Sequence, residues 1–246
     1  MRRFFVRPED VGERALHLRG DEADHLARVL RLGPGVQVGV FDGRGHEYVA
    51  LVERVETDGV VCRILRQAEI QPTQTVSITL GQGLPKAEKF EWVIQKTTEL
   101  GVSEIVPLIT ARVIPHISLR HMPTKVGRWE KLAREACKQS GRATVPHLWP
   151  PTPLATFFAS CHSAELKLVL WEGEDRQPLR TVLAASERVA SVAVLVGPEG
   201  GFTPQEVACG EAHGFIAVGL GKRMLRTETA GVVAVALLQY QFGDLG

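Results

Sequence analysis

The stretch "SVAVLVGPEGGFTPQE" (Ser191–Glu206) decides how the second half of the chain folds. Its first six residues are a short apolar, β-branched run bounded by turn residues, the pattern of a buried strand. A helix follows: Thr203 can cap it, Pro204 suits its first position, and Glu206, three residues after the cap, completes a capping box. Between the two, Gly197, Gly200 and Gly201 permit positive φ and let the backbone come close to a neighbour. Such a turn serves either chain reversal or a ligand, and the stretch alone leaves both open.

Outward from this point the same alternation recurs. From Thr75 the chain reads strand "TVSITLG", helix "KAEKFEWVIQKTTELG", strand "SEIVPLI", a helix near Lys125 to Gln139, strand "LKLVLW" and a helix near Gln177 to Ser186. The strand "FIAVGL" and a closing helix "TAGVVAVALLQYQF" come after the capped helix. Strand and helix in turn predict an α/β domain with a largely parallel sheet. Ligands of such sheets lie beyond the carboxyl ends of the strands, where "WEGE", "GPEGGF" and "GLGKRMLRTET" fall. The first seventy residues differ: strand-like runs "RRFFV", "VQVGVFD", "EYVALVERV" and "GVVCRIL" are separated by turn signals, with one helix from about Asp21 to Leu32. They predict a small β-barrel. "AEIQPTQ", containing Pro72, is the expected linker, dividing the chain into domains 1–72 and 73–246.

Several functions are disfavoured at this level. "GQGLPK" (Gly81 to Lys86) lacks the third glycine of a dinucleotide loop, and Ile216 stands where a P-loop ending at Gly221-Lys222 needs glycine. Cys62, Cys137, Cys161 and Cys209 lie far apart, against both disulfides and a structural zinc site. No apolar run has membrane-spanning length, and "MRRFFVRPED" does not read as a secretory signal, so a cytoplasmic protein without a membrane partner is expected. The chain contains no Asn, which suits either a hot environment or a coding bias. Net charge is only +1, yet residues 112–142 hold eight Lys or Arg against Glu130 and Glu135, so one segment is strongly basic.

"GPEGGF" together with "LGKRMLRTETA" closely resembles the SPOUT superfamily of knotted methyltransferases. Within it the sequence is similar to the ribosomal RNA small subunit methyltransferase E family, through "HLARVLRL", "FDGRG", "FEWVIQKTTELGV", "ACKQSGR", "LVGPEGGFTPQE" and "LRTETA". "GPGVQV" departs from the family's usual acidic residue after the glycine, at a turn without catalytic role. The resemblance implies a PUA-like β-barrel joined to a SPOUT domain with a C-terminal deep trefoil knot, and S-adenosylmethionine as cofactor, without metal. It also implies 3-methyluridine formation in 16S rRNA of the small ribosomal subunit, by a homodimer. An apolar closing helix from Gly231 to Phe242 is consistent with a subunit contact, because a helix apolar on nearly every face must be covered.

Carried onto this sequence, the cofactor-binding residues implied are Gly197, Gly200 and Gly201, with Leu170 and Glu172 on the preceding loop and Leu220, Gly221, Leu225, Arg226 and Thr227 on the following one. Uracil N3 carries a proton and is a weak nucleophile, so catalysis needs proton removal and support for the resulting anion. Arg226 is the candidate for that support, or an ion-pair partner of Glu228. Glu199 or Glu228 is a candidate base, or a carboxylate that holds a loop. Lys125, Arg128, Lys131, Arg134 and Lys138 fall on one half of a helix, opposite Val126, Trp129, Leu132, Ala133 and Ala136. With Arg142 they form an RNA-phosphate surface or a solvated face. Arg2, Arg3, Arg7, Arg28 and Arg31 are a second phosphate surface or local ion pairs. The rivals are another SPOUT chemistry, ribose 2′-O or tRNA guanine-N1 methylation, and a non-enzymatic RNA-binding protein.

Overall fold

The structure is a computed structural model that describes residues 1–68, 76–112, 122–161 and 163–245. Most of the "AEIQPTQ" linker, and with it the expected 72/73 boundary, lies outside the described residues. The chain divides into two compact units, Met1–Pro72 with Arg134–Val145, and Thr73–Ala133 with Pro146–Gly246.

In the first unit β1 (Arg3–Phe5), β2 (Ala15–Leu18), β3 (Gln37–Phe41), β4 (Glu47–Glu56) and β5 (Gly59–Ala68) form one sheet in the order β1-β3-β4-β5-β2. Every pairing is antiparallel except β1 with β3. Phe4, Leu16, Leu18, Val38, Val40, Val52 and Val60 alternate onto its inner face and make the core with Leu26. Among the described residues β1 and β2 are the two ends of the sheet and do not pair, so hydrogen bonds do not close the expected barrel. The helix expected to reach Leu32 stops sooner: α1 (Asp21–Asp24) runs into a π-helical turn over His25–Val29. Arg31 takes a left-handed φ of 52°, and the Leu32 N–H turns back to the Leu26 carbonyl at 3.0 Å, a closure usually reserved for glycine.

The second unit contains β6 (Ser77–Gly83), α2 (Ala87–Glu99), β7 (Glu104–Ile109), α3 (Met122–Ser140), the short β8 (His147–Leu148) and β9 (Thr152–Pro153), and α4 (Leu154–Ser160). It continues with β10 (Leu166–Leu170), β11 (Gln177–Pro178), α5 (Leu179–Ala184), β12 (Ser191–Val196), α6 (Pro204–Ala212), β13 (Ile216–Gly219) and α7 (Thr227–Phe242). From Arg134 the end of α3 packs with the first unit. Among the described residues the sheet order is β11-β13-β10-β12-β6-β7-β8, with β9 on β7, and every pairing is parallel. The central strand β12 is buried from Val192 to Val196, as an uninterrupted apolar run requires. Because β13, β10 and β12 are parallel neighbours, the loops after Leu170, Val196 and Gly219 leave the sheet at one edge. There they meet.

Close backbone approach explains the two glycines of "GQG". A Cβ on Gly81 would stand 2.8 Å from side-chain atoms of both Leu195 and Phe157, and one on Gly83 would stand 2.5 Å from the Pro198 nitrogen. Both glycines therefore serve packing around β12 and its loop, in place of phosphate binding. Beside them Gln82 is fully buried; its amide donates at 2.8 Å to the Thr227 hydroxyl, which in turn donates to the Gly197 carbonyl. That chain of hydrogen bonds ties β6, the glycine loop and the start of α7 together.

Candidate functional site

The local chemistry read from "TPQE" is present in full. The Thr203 hydroxyl accepts from the Glu206 N–H at 3.2 Å, and the Glu206 carboxylate accepts from the Thr203 N–H at 2.8 Å. The other Glu206 oxygen accepts from the Ala111 N–H at 2.8 Å, which secures α6 to the segment after β7. With the helix start held on one side and Val196 on the other, the glycine loop has little freedom.

A cavity of about 720 Å³ lies where the three loops converge, within the range of small-molecule sites. Leu170, Val196, Val218, Leu220 and Leu225 give it an apolar wall, while Gly197 to Gly201 and Gly219 to Gly221 present backbone at its edges. Gly201 and Gly221 have φ of 66° and 115°, and a Cβ on either would meet no atom within 4 Å. Side chains at these positions would be strained and would project into open space. All ten residues assigned to the cofactor from the sequence line this one cavity, and so does Glu199; Glu228 does not.

Residues that no motif marked hold the loops. Arg112 donates to the Gly200 carbonyl at 2.8 Å. Arg176 donates to the Gly173 carbonyl at 2.6 Å and to that of Glu172, fixing the loop after β10. The Lys89 ammonium stands 3.5 Å from Glu199 and 3.4 Å from Glu228, so one cation joins the glycine loop to α7. Isolated basic residues in mixed stretches give no periodic or spacing signal, and for these three only proximity reveals the role.

Glu228 thus meets Lys89 in place of the Arg226 partner considered from the sequence. Arg226 is exposed, lines the cavity and has no acidic partner among the described residues. Burial pushes the Glu199 carboxyl up, but hydrogen bonds from its own N–H and that of Lys86, with the Lys89 charge, outweigh burial and hold it below the usual carboxylate range. A carboxyl so held is a poor acceptor for a proton near neutrality and a good loop fastener. A group depressed on folding contributes stability that is present above its unfolded pKa and is lost as pH falls through the folded value. Calorimetry should find ligand affinity level from neutrality through the ordinary carboxylate range and falling only below it, and Glu199→Gln should weaken binding at neutral pH; an acid limb unchanged in that variant would remove Glu199 from the role.

Of the residues expected to touch RNA, Arg2 and Arg31 in the first unit and Lys125 in the second are exposed, and Lys131 is exposed as well. Arg7 lies near Glu9 and Asp10, Arg28 pairs with Asp24 at 3.3 Å, and Arg128 donates to Glu91 at 2.7 Å. Arg134 is half-buried, with its guanidinium 5.3 Å from the centre of the Phe5 ring, and the Arg142 carbonyl accepts from Arg3 at 3.3 Å. Arg3 and Lys138 make ties within the first unit. Arg3 pairs with Glu47 and donates to the Cys137 carbonyl at 2.9 Å; Lys138 is half-buried between Glu22 and Glu135, each at 2.9 Å. Both charges are already neutralised where they sit.

Burial pushes the Cys62 and Cys137 thiols up, to about 12 and about 11, as suits inert core residues. Among the described residues no cluster of His, Cys, Asp and Glu could hold a metal ion, and no helix is long and apolar enough to cross a membrane.

A parallel sheet whose neighbouring carboxyl-end loops enclose one glycine-edged cavity, with a PUA-like unit before it, defines an RNA methyltransferase architecture. The RNA methyltransferase domain model matches residues 72–239 and the RNA methyltransferase PUA domain model residues 18–65. The chain belongs to this family, and within it to the ribosomal RNA small subunit methyltransferase E group. Proteins of that name from Bacillus subtilis and Synechocystis are 29% identical over 98% of this chain and 97% of theirs, and 33% identical over 95% and 76%. The Neisseria gonorrhoeae protein of the same name, solved bound to S-adenosyl methionine, superposes with a TM-score of 0.89 at 32% identity over the whole of both chains. A Legionella pneumophila protein solved with the cofactor SAM gives 0.90 at 35% identity, over 99% of this chain and 98% of that one.

Proposed function

We propose that this chain transfers a methyl group from S-adenosylmethionine to N3 of a uridine in 16S rRNA of the small ribosomal subunit. The observation that carries the reading is the cavity, which collects in one place the glycine loop, the apolar wall and Arg226, which has no acidic partner among the described residues. The residues present fit the cofactor: Leu170, Leu220 and Leu225 suit the faces of adenine, the Gly197–Gly201 and Gly221 backbone its edges, and the Glu172 carboxylate the ribose hydroxyls. Bound there, S-adenosylmethionine supplies a methyl group already activated by its sulfonium, so positioning is the main demand on the protein.

The chain's own residues account for the rest. Uracil N3 lies on the Watson–Crick edge, so the target uridine must be unpaired or turned out to reach the cavity. Loss of the N3 proton spreads negative charge over the ring, and Arg226, permanently charged and without an acidic partner among the described residues, stabilises it. Glu199 and Glu228 act on Lys89 and hence on the glycine loop and the start of α7, as positioning residues. Exposed Arg2, Arg31, Lys125 and Lys131 supply phosphate contacts that select the RNA by shape.

The deep trefoil knot and the homodimer belong to the same proposal. Packing of α7 against β6 and α2, the elements that begin the unit, and against β12 supports the first. Leu237 and Tyr240 on α7, 39% and 71% exposed, and Trp92 on α2, 41% exposed, support the second. Incubation with undermethylated small subunits and labelled cofactor, followed by nucleoside mass spectrometry, should yield 3-methyluridine. A ribose-methylated nucleoside or 1-methylguanosine would overturn the base assignment, and no incorporation at all the enzymatic one.

A further inference from the structure

We propose that the segment Gly221–Arg226 is the device that opens the RNA: Met224 occupies the stacking position left by the target base, and Lys222 and Arg223 hold the phosphates beside it. The inference rests on the methyl-transfer reading. It begins from Met224, which is 81% exposed, more than any other large hydrophobic residue among those described. A single exposed apolar side chain means little by itself. Three further observations give this one a meaning.

The first is place. Met224 lies on the rim of the cavity, between Lys222 and Arg223 on one side and Arg226 on the other. The second is charge. Those three cations are exposed and, among the described residues, have no acidic partner, whereas Arg3, Lys138, Arg128 and Lys89 are each neutralised by a carboxylate. The third is anchorage. Gly221 turns the chain at φ 115°, and Thr227 at the other end is fixed to Gln82 and the Gly197 carbonyl, so the segment leaves a turn and is anchored where it enters α7.

An apolar tip flanked by unpaired cations matches a distorted nucleic-acid strand. A base cannot offer N3 to the cavity while stacked and paired, and unstacking it opens a gap between its neighbours. Proteins that unstack bases commonly fill such gaps with an apolar side chain, Met among them. An unbranched, polarizable thioether suits the space between two aromatic faces. Turning a nucleotide out also brings phosphates together, and free Lys and Arg side chains compensate that charge.

The test uses Met224→Ala, Met224→Leu and a Lys222→Ala/Arg223→Ala double variant of the full chain, assayed on undermethylated small subunits. A synthetic rRNA fragment spanning the mapped uridine serves in two forms, one paired and one with an abasic site opposite the target. Met224→Ala should lose at least about tenfold in kcat/KM on the subunit and the paired fragment, with cofactor affinity and salt dependence unchanged. Met224→Leu should restore most of the loss, and the abasic fragment should bring Met224→Ala back to the parent's rate. The double variant should lower the salt slope of binding by about 1.4, two contacts at about 0.7 each. Parent-like kcat/KM for Met224→Ala, an equal deficit on both fragments, or an unchanged slope in the double variant overturns the proposal. So does sedimentation of Met224→Ala as a smaller species than the parent, which would assign the side chain to a contact between copies. Failure of the methyl-transfer reading is separate: the parent itself would then incorporate no methyl group, and the wedge would fall with it.

Discussion

Arg226→Ala is expected to lose about 10²- to 10³-fold in turnover at saturating cofactor while binding the ribosomal particle as the parent does. The side chain is exposed on the cavity wall, makes no cap bond to α7 and has no acidic partner among the described residues. Its removal therefore leaves no buried charge behind and does not undo the helix, whose first turn is held by the Arg226 carbonyl accepting from the Ala230 N–H at 2.8 Å. In the proposed reaction, what is lost is a fixed positive charge beside the uracil as its N3 becomes anionic, an interaction stronger in the transition state than in the ground state. Arg226→Lys should recover only part, since an ammonium lacks the planar fork. Single-turnover kinetics with calorimetry separates the terms: a rate within threefold of the parent, or a loss confined to cofactor affinity, would show that Arg226 has no part in the chemical step.

Gly83→Ala should have the largest effect on the cofactor site among substitutions outside the cavity wall. A Cβ there would stand 2.5 Å from the Pro198 nitrogen and 2.9 Å from the Gly197 carbonyl carbon, both backbone atoms that cannot swing aside. Pairing of β6 with β12 runs to Gln82 opposite Val196, so the clash falls directly after the last paired residue, where the glycine loop begins. Overpacking of this kind costs about 1–3 kcal/mol, and at about 2–4 °C per kcal/mol for a chain of this size Tm should drop by several degrees. Cofactor affinity should fall by about a hundredfold or more, because the loop must move to admit the methyl group. Gly127→Ala is the opposite control: it lies in α3, its Cβ would meet nothing within 4 Å, and Ala there should stabilise by up to about 1 kcal/mol. A Gly83→Ala protein that binds cofactor like the parent would mean that the loop does not depend on this close approach.

How much of this was legible beforehand differs from element to element. The Ser191–Glu206 reading held because its signals are local: β-branched residues make the strand, glycines the turn, and the Thr203–Glu206 box the helix start. β2 escaped notice because four residues give too little alternation, and α4 because "WPPTPLATFF" reads as a breaker before it reads as a helix. The basic helix was found by its period, yet periodicity does not distinguish a free cation from one facing an acid distant in sequence; Lys138 meets Glu22, 116 positions away.

The sequence by itself determined the alternation of strands and helices, the capped turn after β12, and the part of the cavity lining that lies in the glycine motifs, since each depends on a few neighbouring side chains or on a motif kept together in the chain. Tertiary structure decided which groups are free to act. It tied Lys89 to two carboxylates, turned Arg3 and Lys138 inward, put Gly83 against Pro198, and left Arg226 without an acidic partner among the described residues and Met224 bare at the cavity rim. The physical reason is that neutralisation, burial and close approach are set by through-space distances of a few ångström between residues far apart in the chain, and no local pattern records them.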